Sequence, residues 1–332
     1  MTHVAKRPKR FLSTLVGLVM IGGMAWAGLT YGPELYDAAV ASRYQPDSAM
    51  QAVIDQLELT DKGRQLLYAS QPQLQDKAEF NKSCKSTERT AAILGCYHLR
   101  RIYVYNVQNQ ELTNAEPVTT AHELLHAAYE RLGPSERQRI DKLIEAEYAK
   151  IKTNPVIASM VKYYDQAEPG ERNNELHSII GTQIGTINSE LEQHYSRYFR
   201  NRAAIVARSD AYQAVFDKVD QEAKALSKAI NQEATQLPTD QAQYKEMAEQ
   251  LSADIKVFNA RAQNGGFRDD ASFQAARKKL LVRQRALEAQ RLAINQRVEI
   301  YNAKITRLNA LSVRANELNQ SINGIEQPKE QV

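Results

Sequence analysis

Histidine and cysteine are scarce in this chain, and a concentrated basic face is missing. Of 332 residues only six are histidine and two are cysteine. No C-x-x-C or C-x-x-H spacing occurs, which removes the thiolate zinc modules from consideration. Lys and Arg number 43 against 39 Asp and Glu, and Lys6, Arg7, Lys9 and Arg10 account for the whole excess. The rest of the chain is neutral, which argues against the concentrated basic face that a nucleic-acid partner requires, and none is expected. A hydrophobic share of 43% with 25% charged residues also excludes a disordered chain.

Residues 1–31 contain no acid. The basic cluster abuts FLSTLVGLVMIGGMAWAGLTYG, Phe11 to Gly32, an uncharged apolar run about as long as the roughly 20 residues of a membrane-spanning helix. Positive charge before such a run keeps the N-terminus in the cytoplasm, and everything after it is then exported. Ala25-Trp26-Ala27 followed by Gly28 also fits a signal-peptide cleavage site. The retained anchor is the expectation, because the apolar run continues through Leu29 and Tyr31. Localisation is thus the cytoplasmic membrane, single-pass, with the folded part in the periplasm or at the cell surface. In that oxidising setting Cys84 and Cys96, which bracket CKSTERTAAILGC, read as a disulfide closing a short loop.

Four parts follow: residues 1–32 as basic segment and anchor, 33–208 as a mixed domain, 209–325 as a helical hairpin, and 326–332 as a tail. In the second part a helix around LTDKGRQLLYA precedes Pro72, and RIYVYNV, Arg101 to Val107, has the β-branched and aromatic content of a strand. Pro117 suits a helix first turn, Val118 to Leu132 continues it, and Gly133-Pro134 ends it. Ser135 suits an N-cap, and Asn154-Pro155 marks a stop before another helical segment from Val156 to Asp165. Further helices are expected over Asn173–Thr186 and after Ser189.

The third part carries heptad spacing in Tyr212, Phe216, Val219, Ala223, Leu226 and Ile230, is interrupted by Pro238, and resumes at Tyr244, Met247, Leu251, Ile255 and Phe258. Asn264-Gly265-Gly266 marks a turn. From about Asp270 a second long helix carries Ile294, Val298, Tyr301, Ile305, Leu308, Ala315, Leu318, Ile322 and Ile325. An antiparallel hairpin results, a spacer, docking arm or self-association seam in function, with Asn302, Asn309, Asn316 and Asn319 near the seam as candidate register-fixing amides. The fold class is mainly α, with a small sheet in an α+β catalytic domain.

AHELLHAAYERL, Ala121 to Leu132, carries the chemistry. Residues four apart on a helix differ by about 40° around the axis and about 6 Å along it, so His122 and His126 share a face. Two imidazoles so placed can reach one Zn²⁺, and Glu123 stands beside the first of them as general base and acid. The extended H-E-x-x-H-x-x-G-x-x-H signature is absent, because Tyr129 and Leu132 occupy its later positions. A third ligand must come from elsewhere, and Glu175, in NELHSIIGT, is the best candidate.

With that pair of motifs the chain resembles the gluzincin metallopeptidases, the thermolysin-like group, whose ligand glutamate lies in a helix written N-E-x-x-S-D. Asn174-Glu175 with the nearby Ser178 is similar, although Ile179 stands four residues after Glu175 where no acid is found. The resemblance covers Thr119 to Gln183 and implies a zincin-like fold, one Zn²⁺ per chain held by His122, His126 and Glu175, and a peptide or protein substrate. His177 is the alternative ligand. It lies about 200° around the helix from Glu175, so only one of the two can face a metal. His194 is a further alternative ligand or an oxyanion stabiliser, as is Tyr198; both also suit a core stripe. The competing function class is an envelope interaction protein that works through the hairpin and keeps an inactive H-E-x-x-H helix.

Overall fold

The computed structural model describes residues 32–84, 94–167 and 170–323. The anchor expected up to Tyr31, most of the loop between the cysteines, Ile325 and the tail lie outside them. Among the described residues no helix is long and apolar enough to cross a membrane. The fold is mainly α with one small mixed sheet and a long helical segment. It divides into two compact units, one holding the chain up to Val215 together with the stretch from Gln320, the other Phe216–Asn319.

In the first unit a helix over residues 32–43 (α1) is followed by α2 (Ser48–Asp55) and α3 (Asp61–Ala69). Asp47 and Thr60 cap the latter two, accepting the Met50 and Gly63 amides at 2.8 and 3.0 Å. Next come β1 (Gln73–Gln75), α4 (Lys77–Ser83), β2 (Gly95–His98) and β3 (Arg101–Tyr105). The strand order is β1-β3-β2, with β1 parallel and β2 antiparallel to β3. The strand read over Arg101–Val107 therefore ends at Tyr105, and His98 belongs to a second strand, β2, that pairs with it. The turn between them is Leu99-Arg100, with φ of 50° and 62°. Two successive left-handed residues make a tight hairpin turn, normally an Asn-Gly task, and Leu-Arg carries no such signature.

The remaining helices are α5 (Ala115–Glu130), α6 (Pro134–Ile151), α7 (Pro155–Ala167), α8 (Arg172–Gln183) and α9 (Ser189–Tyr195). Pro134 takes the first position of α6, so Gly133 and not Ser135 is its N-cap, and Asn188 and not Ser189 caps α9. The apolar positions of α5 reach round most of its circumference: Ala121, Leu124, Leu125 and Ala127 are fully buried. This helix is the centre of the core, with Ile102 and Val104 of β3, Leu176 and Ile180 of α8, and Tyr195 and Phe199 also buried in it. Cys84, at the end of α4, and Cys96, in β2, form a disulfide with Cα atoms 5.9 Å apart.

The second unit is a pair of antiparallel helices, the later part of α10 (Arg202–Gln263) and most of α11 (Asp270–Ile322). Val219, Leu237, Leu251, Ile294, Leu311 and Leu318 bury its seam. Ion pairs Arg307–Glu222, Arg297–Glu233 and Arg283–Asp254 cross it in the reversed order an antiparallel pair requires. Phe258, Phe267 and Phe273 close the turn, their ring centroids 5.2 to 5.3 Å apart.

Three expectations differ here. Pro238 lies inside the continuous α10, held there by the burial of Leu237 beside it. Met247 is 39% exposed, and Ala248 takes its place at the seam. Asn302, Asn309, Asn316 and Asn319 all face solvent, so the crossing arginines, not buried amides, fix the register.

Candidate metal centre

Helix α5 presents His122 and His126 side by side, as the four-residue spacing requires, and α8 crosses it closely enough to bring Glu175 over both. The Nε2 atoms of the two histidines are 3.0 Å apart. Glu175 places Oε1 3.4 Å from His122 Nε2 and Oε2 3.3 Å from His126 Nε2. The ligand atoms of all three lie within 4.8 Å of one another, and among the described residues no other such group of three forms. The side chains retain 17%, 15% and 10% exposure, so the cluster is sheltered and still reachable from solvent.

The crossing of α5 and α8 depends on Gly181. A Cβ there would fall 2.8 Å from Tyr195 Cε1 and closer still to Leu125 Cδ1, so any larger residue requires these buried side chains to shift. The far end of α8 is tied by Arg202, itself 4% exposed. Its guanidinium donates to the Ile184 and Gly185 carbonyls at 2.7 and 2.8 Å and pairs with Glu192 at 2.6 Å. A cation at these last carbonyls satisfies acceptors the helix leaves open.

Asn174 supplies what the residue pattern left open. Its Oδ1 accepts a hydrogen bond from His126 Nδ1 at 3.0 Å, and its Nδ2 donates to Glu171 Oε2 at 2.9 Å. With one proton held on Nδ1, Nε2 of His126 is the atom that faces Glu175 and His122, and its lone pair becomes available once it is deprotonated. Ile179, four residues after Glu175, is fully buried and takes no part. Asn174 precedes Glu175 in the sequence motif, and its orienting role arises only from the crossing of α5 and α8.

Charge is strongly polarised. Burial opposes protonation of His126, yet hydrogen bonding to Glu175, the charges of Glu123 and Glu175, and Asn174 outweigh it and raise its pKa to about 9. Burial likewise opposes ionisation of Glu175, but His122 and His126 hold its pKa below the usual carboxylate range. In the metal-free protein the two share a proton-rich contact, which a divalent cation replaces.

Glu123 is 5% exposed and lies against Gly95 on the edge strand β2. A Cβ at Gly95 would fall 2.7 Å from its Oε1. The strand therefore passes over the carboxylate with no room for a side chain, and Cys96 fastens the next position to α4.

His177 and His194 are placed away from this cluster. Their Nε2 atoms are 2.8 Å apart, both rings are buried, and Arg197 donates to His194 Nδ1. Burial and then the neighbouring cations Arg197, Arg139 and Lys62 depress His194 to about 3, and burial and His194 depress His177. Tyr198, 3% exposed, packs its ring 5.7 Å from that of His194. These three pack as a buried cluster of rings, with His177 on α8 and His194 on α9, and none of them joins the three converging ligand atoms.

No family model, no curated protein and no solved structure matches the chain.

Proposed function

We propose that this chain is a membrane-anchored, extracytoplasmic zinc-dependent peptidase in which His122, His126 and Glu175 hold the metal. The convergence of those three side chains from α5 and α8, with Nε2 and carboxylate oxygens 3.0 to 3.4 Å apart, carries the reading. Two imidazoles and one carboxylate fit zinc in donor type, and Asn174 orients His126 as such a site demands. Zinc bound there supplies Lewis acidity that polarises a peptide carbonyl and makes water acidic near neutral pH.

Glu123 performs the proton work. It follows His122 directly, and its carboxylate is held under β2. From there it takes a proton from the attacking water and passes it to the leaving amine. Among the described residues β2 is an edge strand of the sheet, and its outer edge offers backbone donors and acceptors to an extended substrate strand, which then lies across Glu123. The disulfide supports an oxidising, exported setting.

Glu123→Gln is expected to keep one zinc per chain and to lower peptide hydrolysis by about 10²- to 10⁴-fold, the usual size of a general-base contribution. Full hydrolysis in that variant excludes the mechanism.

The hairpin favours a second reading, an interaction protein whose working part is Phe216–Asn319, because its crossing Arg–acid pairs tie two long helices together. Metal analysis separates the two. Stoichiometric zinc that is lost in His126→Ala supports the peptidase, and a metal-free chain of unchanged stability supports the scaffold.

A further inference from the structure

The three exposed large apolar residues of the first unit lie on two elements that a single carboxylate joins. Leu35 is 69% exposed, Tyr36 62% and Leu99 81%; every other such residue among those described belongs to the second unit. Leu35 and Tyr36 sit on α1 and Leu99 on the turn between β2 and β3. Asp37, 9% exposed, joins the two elements: its Oδ1 accepts from Arg100 Nη2 at 2.8 Å and its Oδ2 from Arg131 Nε at 2.6 Å. Arg131 also donates to Tyr97 Oη at 2.9 Å. On a helix Leu35 lies about 200° from Asp37 and Tyr36 about 100°, so with Asp37 docked both point off the docked face.

Leu99 is a poor residue for its position. It holds φ of 50° in a hairpin turn that Asn or Gly would make without strain, and its side chain contributes nothing to the core. An exposed leucine on a strained, ion-pair-fastened turn gains nothing from water. The chain itself indicates what covers it. The uncharged run Phe11 to Gly32 ends three residues before Leu35. Five residues of helix advance about 8 Å, so Asp37 and the turn it grips stand about that far from the end of the run. Tyrosine and leucine flanked by arginine suit the headgroup level of a bilayer; Arg100 is paired with Asp37 and Glu130, and the exposed Arg101 supplies the cation. Two acids face solvent here, Glu34 in the first turn of α1 and Glu130, 3.8 Å from Arg100 Nη1.

We infer that Leu35, Tyr36 and Leu99 form a docking patch that beds the first unit on the lipid surface in which its own N-terminal run is inserted. The inference rests on the anchor in the reading above. It also narrows the substrate class. Arg131 caps α5, about 8 Å along the axis from His126, so a bedded unit holds its metal centre close to the bilayer and meets peptide segments lying at the membrane surface.

The test uses the full chain in vesicles of phosphatidylcholine and phosphatidylglycerol. Because Cys84 and Cys96 are disulfide-bonded, Leu99→Cys introduces a single free thiol for a nitroxide label. A label at Asp61, whose side chain is fully exposed, serves as the control. Collision of the nitroxide with oxygen and with a water-soluble nickel chelate reads its depth. The oxygen-to-nickel ratio at Leu99, and at Tyr36→Cys, is expected to be several-fold higher than at Asp61. If the chain floats with the vesicles and the ratios match, the docking patch is overturned while the anchor stands. If the chain does not float, anchor and patch fall together. Zinc content of the same samples reports on the peptidase reading independently.

Discussion

Asn174 shows how much of the candidate site rests on one amide. Because its carbonyl oxygen holds the proton of His126 on Nδ1, Asn174→Ala is expected to weaken zinc binding by about 10- to 100-fold while the chain stays folded, measured by competition with a chelator. Zinc must also displace the proton that His126 carries below about pH 9. The raised pKa of a histidine stabilises the metal-free fold fully below its unfolded value, near 6.5, and that contribution is lost as pH rises through about 9. Zinc affinity accordingly climbs with pH across this window and levels off above it. At this scale the sequence was legible where spacing alone decides geometry: His122 and His126 share a face because four residues make nearly one turn. Glu175 was reachable through a family pattern. Asn174 in its orienting role and Arg202 were not, because each acts across a gap between elements that linear spacing does not report.

Among elements, α5 and β2 decide whether the site forms. Leu125→Ala removes a fully buried side chain that also touches the Gly181 approach and is expected to cost about 2 to 5 kcal/mol in denaturant unfolding. Gly95→Ala is expected to spare zinc content and depress hydrolysis, since its Cβ meets Glu123 and not the ligands. Reduction of the Cys84–Cys96 disulfide releases β2 from α4, with about 2 to 3 kcal/mol of stability at stake for a loop of this length. The sequence announced β3 through its β-branched and aromatic run. It hid β2, whose turn Leu99-Arg100 contains none of the residues that make positive φ easy. Pro238 misled in the opposite sense: its lost hydrogen bond is local, and the burial of Leu237 in the seam outweighs it.

For the molecule as a whole, heptad spacing begins near residue 210, whereas the compact units are the chain up to Val215 with the stretch from Gln320, and Phe216–Asn319. The boundary itself is blurred because α10 starts at Arg202 and runs through it without a break. All proposed ligands lie in the first unit. A chain in which Phe216–Asn319 is replaced by a short flexible linker is therefore expected to bind one zinc, as the full chain does, when metal is counted by mass spectrometry; loss of zinc there would make the hairpin part of the site's support. Zinc K-edge absorption on the full chain addresses the metal centre itself. A first shell of two imidazole nitrogens with carboxylate and solvent oxygens at about 2.0 to 2.2 Å is expected. A spectrum without imidazole scattering, or a folded chain that retains no zinc, would contradict it.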